Sequence, residues 1–216
     1  LPLSCLYLGT VLEKVGYRVE ILDERLTNSF GQEVAESINR ERPVLVGISS
    51  MTGIQIQGGL EGAQAVRSID PSVPLVWGGV HPSLCPDTTL KDALCDIVVV
   101  GEGEITLIEL ADCLVSREDL TQVRGIGFKR EGKIHFTQGR PMIEDLDRIP
   151  RPDYGLVDMQ YYFTTAPTTS QRQLQVVTSR GCPYDCEFCY NLKFNERRFR
   201  HHSAERTVSD IAYLSR

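Results

Sequence analysis

Apolar residues recur at helical spacing over residues 3–15, as far as Gly16, and Tyr17-Arg18-Val19-Glu20-Ile21-Leu22 then alternates as a half-buried strand does. Residues 32–42 predict a second helix closed by Pro43, and Val44-Leu45-Val46-Gly47-Ile48 is a continuous apolar run of the kind parallel strands carry. The rhythm continues with a helix over 59–69, a turn over 71–74, a strand at Leu75-Val76-Trp77, a helix over 88–94, a strand at Asp96-Ile97-Val98-Val99-Val100 and a helix over 105–115. Strands alternating with helices through short connections predict an α/β domain with a parallel sheet, because parallel neighbours need crossover connections.

From Arg124 the pattern changes. Gly125-Ile126-Gly127-Phe128-Lys129 and Lys133-Ile134-His135-Phe136 flank Arg130-Glu131-Gly132 and read as a hairpin. Residues 139–152 carry Pro141, Pro150 and Pro152 among charges and read as a linker wrapping from one unit to the next, whereas 161–173 is polar and fits no single element. Residues 174–178 predict a new strand, and Ser203 caps a helix running to Leu214. One strand, one loop and one helix cannot bury a core, so the second unit is expected as a first βα element only.

Composition narrows the function classes. A hydrophobic content of 41% and a charged content of 24% are ordinary for a globular chain, and no apolar run reaches the roughly 20 residues a membrane helix needs. The start, Leu1-Pro2-Leu3-Ser4-Cys5, has neither a basic leader nor an initiating Met, so a signal peptide is not expected and the chain reads as beginning inside a longer protein. A net charge of −6 argues against general nucleic-acid binding. Locally, Lys193, Arg197, Arg198, Arg200 and Arg206 could meet an anionic ligand or form a solvated basic face, and both readings stand.

The seven cysteines divide into a cluster and four singles, Cys5, Cys85, Cys95 and Cys113, with no paired framework. A reducing compartment, the cytoplasm, is the expectation, with each single a small buried apolar residue. The cluster, Cys182, Cys186 and Cys189, has three and then two intervening residues. Thiolates so spaced can converge on one soft metal centre, and three ligands leave a coordination position open. Structural zinc is the rival; it wants four protein ligands, and His201 and His202 are the nearby candidates for a fourth.

In open parallel sheets, ligands sit beyond the carboxyl ends of the strands. Three loops are expected there: Ser49 to Gly53 with Ser50 and Thr52, Gly78 to Pro82 with Gly79 and His81, and Gly101-Glu102-Gly103-Glu104. Glycine lets a ligand approach the backbone, and hydroxyls and imidazole bond directionally; ordinary turn chemistry is the alternative for any one loop.

The stretch Cys182-Pro183-Tyr184-Asp185-Cys186-Glu187-Phe188-Cys189 resembles the signature of the radical S-adenosylmethionine enzymes. The upstream segments Leu6-Tyr7-Leu8, Gly16-Tyr17, Gly47-Ile48-Ser49, Gly78-Gly79-Val80-His81-Pro82, Gly101-Glu102-Gly103-Glu104 and Ile149-Pro150-Arg151-Pro152-Asp153-Tyr154, in that order, resemble the subclass with a cobalamin-binding domain. The resemblance implies a Rossmann-like, flavodoxin-like domain over 1–138, a linker over 139–170 and, over 171–216, the first βα element of a truncated TIM-type barrel. It further implies a [4Fe-4S] cluster on Cys182, Cys186 and Cys189, S-adenosylmethionine with Phe188 against its adenine and Tyr190 also in contact, and cobalamin over Ser49, Ser50, Thr52, Gly78, Gly79, His81 and Gly101 to Glu104.

Two departures qualify it. No Asp-x-His-x-x-Gly is present, so cobalamin is expected without a protein histidine on cobalt; His81 would touch the ligand's periphery or order its loop. The family's first strand should precede Leu1 and most of its barrel should follow Arg216, which predicts a fragment, inactive alone. The implied activity is methyl transfer to an unactivated carbon of a small molecule, by a 5′-deoxyadenosyl radical and methylcobalamin, with flavodoxin or ferredoxin as electron donor. Cyclisation or rearrangement, and a non-catalytic ligand-binding domain, are the alternatives.

Overall fold

The computed structural model describes residues 1–165 and 172–215. Within these the chain forms two compact units, Leu22–Met142 and a second joining Leu1–Ile21 to Ile143–Arg216.

The α/β unit, Leu22–Met142, is built on a five-stranded sheet. After α2 (Phe30–Glu41), β1 (Val46–Ser49), β2 (Leu75–Gly78) and β3 (Ile97–Val99) pair in parallel, with Ser49 opposite Gly78 and Trp77 opposite Val98. The crossovers are α3 (Gln55–Ile69) and the pair α4 (Val80–Leu84) and α5 (Pro86–Lys91). After α6 (Glu104–Ser116), β4 (Ile126–Arg130) and β5 (Lys133–Phe136) add antiparallel beside β3. The hairpin is thus part of the sheet, which is mixed rather than purely parallel.

Burial explains why these residues pair. Every residue of β3 and the first three of β2 are buried, as strands covered on both faces must be. Val34 and Ile38 of α2, Ala63 and Val66 of α3, and Leu75, Trp77 and Val98 share one core. Asp96 ties the layers: its Oδ2 accepts the Leu75 N–H at 2.8 Å and pairs with Arg67. Burial pushes the Cys95 thiol up to about 12 and raises Cys113 as well, which suits these two singles to the apolar role expected of them. Cys85, by contrast, is exposed where α4 meets α5, and Cys5 is half-buried.

In the other unit, α1 (Leu3–Lys14) contributes Tyr7 to a small core with Leu146 and Ile149, and Val177 packs against it. The proline-rich stretch is not a loose tether. Asp145, Asp153 and Asp158 each accept the N–H two residues on and so start short 3₁₀ turns. Asp153 also donates its own N–H to Thr10 Oγ1 at 2.7 Å. The strands here are minimal: β6 (Thr164–Thr165) with β7 (Arg172–Gln173), and β8 (Ser179–Arg180) antiparallel to β9 (Arg200–His201). Helices α7 (Asn191–Phe194) and α8 (Ala204–Leu214) complete it, and Ser203 Oγ caps α8 by accepting the Arg206 N–H at 3.1 Å.

Two expected strands do not form. Residues 17–22 keep their alternation, with Tyr17, Val19 and Ile21 half-buried and Arg18 and Glu20 exposed, but no described strand lies alongside to complete a ladder. Residues 174–178 likewise lack a ladder, which starts only at Ser179. The expected polar segment over 161–173, the linker end and the barrel start fall partly at 166–171, outside the described residues. No helix among the described residues is long and apolar enough to cross a membrane.

Leu75 is fully buried between helix layers. Leu75→Ala is expected to destabilise the α/β unit by about 2–5 kcal/mol, read as a lower urea midpoint at unchanged slope.

Candidate functional site

Because β1, β2 and β3 are parallel, the chain leaves all three at one edge of the sheet, and the predicted loops gather there. Ser50 donates its N–H to Gly78 O at 3.0 Å, and its own carbonyl accepts the His81 N–H at 3.1 Å. Gly79, at φ 94°, is where the loops after β1 and β2 touch: a Cβ there would lie 2.8 Å from Ser50 O. Only glycine allows both that backbone angle and that approach. Thr52 Oγ1 and His81 Nδ1 are 3.1 Å apart, a second link between the same loops.

The loops differ in exposure. Ser49 and Thr52 are exposed, Gly78, Gly79, His81, Gly101, Glu102 and Gly103 are half-buried, and Glu104 is buried at the start of α6. Ser50 is 1% exposed, and its hydroxyl has no hydrogen-bond partner among the described residues. A buried hydroxyl without a partner is costly, and a polar ligand at this edge would supply one.

Sequence reasoning passed over Ser83. Its Oγ donates to Gly79 O at 2.7 Å and accepts the Gly101 N–H at 3.0 Å, joining the second loop to the third. The available signal was a hydroxyl residue four positions beyond Gly79, obscured because the stretch after Gly78-Gly79 reads as a loop whereas residues 80–84 are helical.

The cysteine loop lies in the other unit. Gly181, at φ 82°, is pressed against the Arg198 carbonyl, which a side chain at 181 would strike. Beyond this anchor the loop is open: Cys186 is exposed, Cys182 and Cys189 are half-buried, Phe188 is 93% exposed and Tyr190 42%. Among the described residues no three His, Cys, Asp or Glu side chains are gathered as a metal-ligand set, so neither three thiols nor a zinc tetrad stands assembled. The donor set is three thiols, the chemistry that soft centres and iron–sulfur clusters use.

Of the basic residues after the cysteines, Lys193, Arg197 and Arg198 are exposed, whereas Arg200 and Arg206 are committed to bonds within their unit. Arg200 is buried and donates to Ile143 O at 2.7 Å and Asn195 Oδ1 at 3.2 Å. Arg206 donates to both Asp210 oxygens at 2.9 Å and to Ile149 O at 2.9 Å, while Arg151 reaches Asp210 at 2.6 Å. Arg197 pairs with Asp185 and Arg198 with Glu144. Of the two histidines, His202 Nδ1 lies 2.9 Å from Asp147 Oδ1 and His201 Nδ1 lies 2.8 Å from His202 O. An open hollow of about 420 Å³ in this unit, lined by Thr10, Glu13, Lys14, Arg151 and Tyr213 among others, contains none of the predicted site residues.

The B12 binding domain family matches residues 1–111. The chain belongs to that family. This B12-binding-domain chain is 32% identical over 214 residues to an uncharacterized methyltransferase of Pyrococcus horikoshii, covering 99% of this chain and 45% of that protein. It is also 32% identical over 219 residues to an anaerobic magnesium-protoporphyrin IX monomethyl ester cyclase of Synechocystis, covering 100% of this chain and 42% of the cyclase. It therefore spans less than half the length of these curated relatives. Among solved structures, the cobalamin-dependent S-adenosylmethionine radical enzyme OxsB with aqua-cobalamin bound shares its fold with a TM-score of 0.79 at 24% identity, over 99% of this chain and 29% of that one.

Hydrogen bonds from Ser203, then from His202, hold the Asp147 carboxyl down to about 2 from its ordinary 3.8. A carboxyl depressed on folding stabilises the fold above pH 3.8 and loses that contribution as pH falls through about 2. Asp147→Asn is expected to melt earlier than wild type at neutral pH, with the gap narrowing between pH 4 and 2, in thermal scans of this B12-binding-domain chain.

Proposed function

We propose that the chain is part of a cobalamin-dependent radical S-adenosylmethionine enzyme, a methyltransferase acting on an unactivated carbon of a small molecule. One observation carries the reading: the strand-end edge of a B12-binding-domain chain offers a buried, unpartnered Ser50 hydroxyl beside Gly79, and the same chain bears Cys182, Cys186 and Cys189 at the radical-enzyme spacing. Residues 1–138 are taken as the cobalamin domain, 139–170 as linker and 171–216 as the start of the radical domain. Cytoplasmic location and a flavodoxin or ferredoxin donor belong to the same reading.

When bound, the cluster, S-adenosylmethionine and cobalamin supply hydrogen abstraction and methyl delivery. This chain's residues bind and orient. Cys182, Cys186 and Cys189 would hold the cluster through thiolate sulfur, and Phe188 and Tyr190 offer aromatic faces beside it. Ser49, Ser50, Thr52, Gly78, Gly79, His81 and Gly101 to Glu104 would line the cobalamin site. In that site His81 is taken to touch the ligand's periphery or to order its turn, since the sequence lacks the Asp-x-His-x-x-Gly that supplies a histidine to cobalt and Thr52 Oγ1 lies 3.1 Å from its Nδ1. Ring closure is the second reading, favoured by the 32% identity to the cyclase.

Anaerobic reconstitution with iron and sulfide is expected to give a brown protein holding about four irons per chain, lost when the three cysteines become Ala. Hydroxocobalamin is expected to co-elute with the protein on gel filtration with an altered visible spectrum. A colourless zinc-loaded product would refute the cluster, and no retained cobalamin would refute the first site.

A further inference from the structure

The five-residue helix α4 is bonded to all three strand-end loops. On one side the His81 N–H donates to Ser50 O at 3.1 Å, and the His81 ring meets Thr52, both in the loop after β1. On the other side lies Ser83. A bond from its hydroxyl to the Gly79 carbonyl four residues back is ordinary for serine in a helix. Acceptance of the Gly101 N–H at 3.0 Å, from 18 residues away and beyond β3, is not. One hydroxyl can donate once and accept at the same time, so both bonds are made together.

We propose that Ser83 is a positioning residue for the ligand edge, setting the separation between the loop after β2 and the loop after β3 through its paired bonds to Gly79 O and Gly101 N–H. This rests on the cobalamin reading above. Ser83 acts through the two glycine backbones, so what matters is its Oγ. Alanine at 83 leaves the Gly101 N–H without its acceptor and frees the two loops to separate. Threonine keeps the oxygen, and in a helix it makes the same bond to the carbonyl four residues back.

The test is a hydroxocobalamin titration followed in the visible spectrum, with ligand-free melting curves recorded for the same samples. Ser83→Ala is expected to weaken the dissociation constant roughly tenfold, and Ser83→Thr to restore it to near the wild-type value. Ser83→Ala that melts earlier but binds as wild type does would overturn the proposal, since the bonds would then serve folding alone. Ser83→Thr that binds as poorly as Ser83→Ala would overturn it too. Wild-type protein that takes up no hydroxocobalamin defeats the underlying reading, a result distinct from either. Should Ser83→Ala not fold, amide exchange on the wild type decides: a slowly exchanging Gly101 N–H is expected, and exchange at the rate of an open loop would overturn the tie.

Discussion

Everything at the strand-end edge of the sheet depends on the parallel register of β1, β2 and β3. With Ser49 opposite Gly78 and Trp77 opposite Val98, three successive exits from the sheet open side by side. An antiparallel pairing would have sent alternate loops to opposite edges. Once the exits are adjacent, the loops must pack on one another, and the packing demands a residue without a side chain at Gly79. The buried Ser50 hydroxyl and the helical turn carrying His81 and Ser83 are consequences of the same crowding.

The alternating helices and strands of the α/β unit were legible because their cause is local: the apolar runs at 75–77 and 97–99 are buried as strands covered on both faces must be, although β1 alternates between half-buried and exposed positions. The hairpin was legible as a hairpin, but its docking on β3 was not, since Phe128 meets Ile97 across 31 residues of sequence. Residues 17–22 misled for the opposite reason: alternation reports which side chains are covered, and Val19 and Ile21 can be half-covered without any ladder. At the site, the loops were found from strand ends and glycines, whereas the Ser83 tie is a long-range contact and left no periodic trace.

The basic stretch shows how charge count differs from charge availability. Arg200 and Arg206 belong to the basic stretch read from the sequence, yet they, and Arg151 from the proline-rich stretch, are bonded to Asn195, Asp210, Ser209 and main-chain carbonyls. Asp210 is itself buried and receives both Arg151 and Arg206. Removing either partner of such a buried network strands the other without compensation, so these charges specify the fold of their unit rather than recruit an anion. The cysteine loop, anchored at Gly181 and exposed at Phe188, is left as the chemically uncommitted surface there.

Cys85 is the one exposed cysteine of the four outside the cysteine loop, and it caps both α4 and α5. Its N–H is fixed to His81 O at 2.9 Å, so its backbone moves with the helix that carries His81 and Ser83. With Cys5 and the cysteines of the 182–189 loop replaced, a thiol-reactive dye or spin label at Cys85 would therefore report on the strand-end edge from a native attachment point, while Cys95 and Cys113 stay shielded in the core.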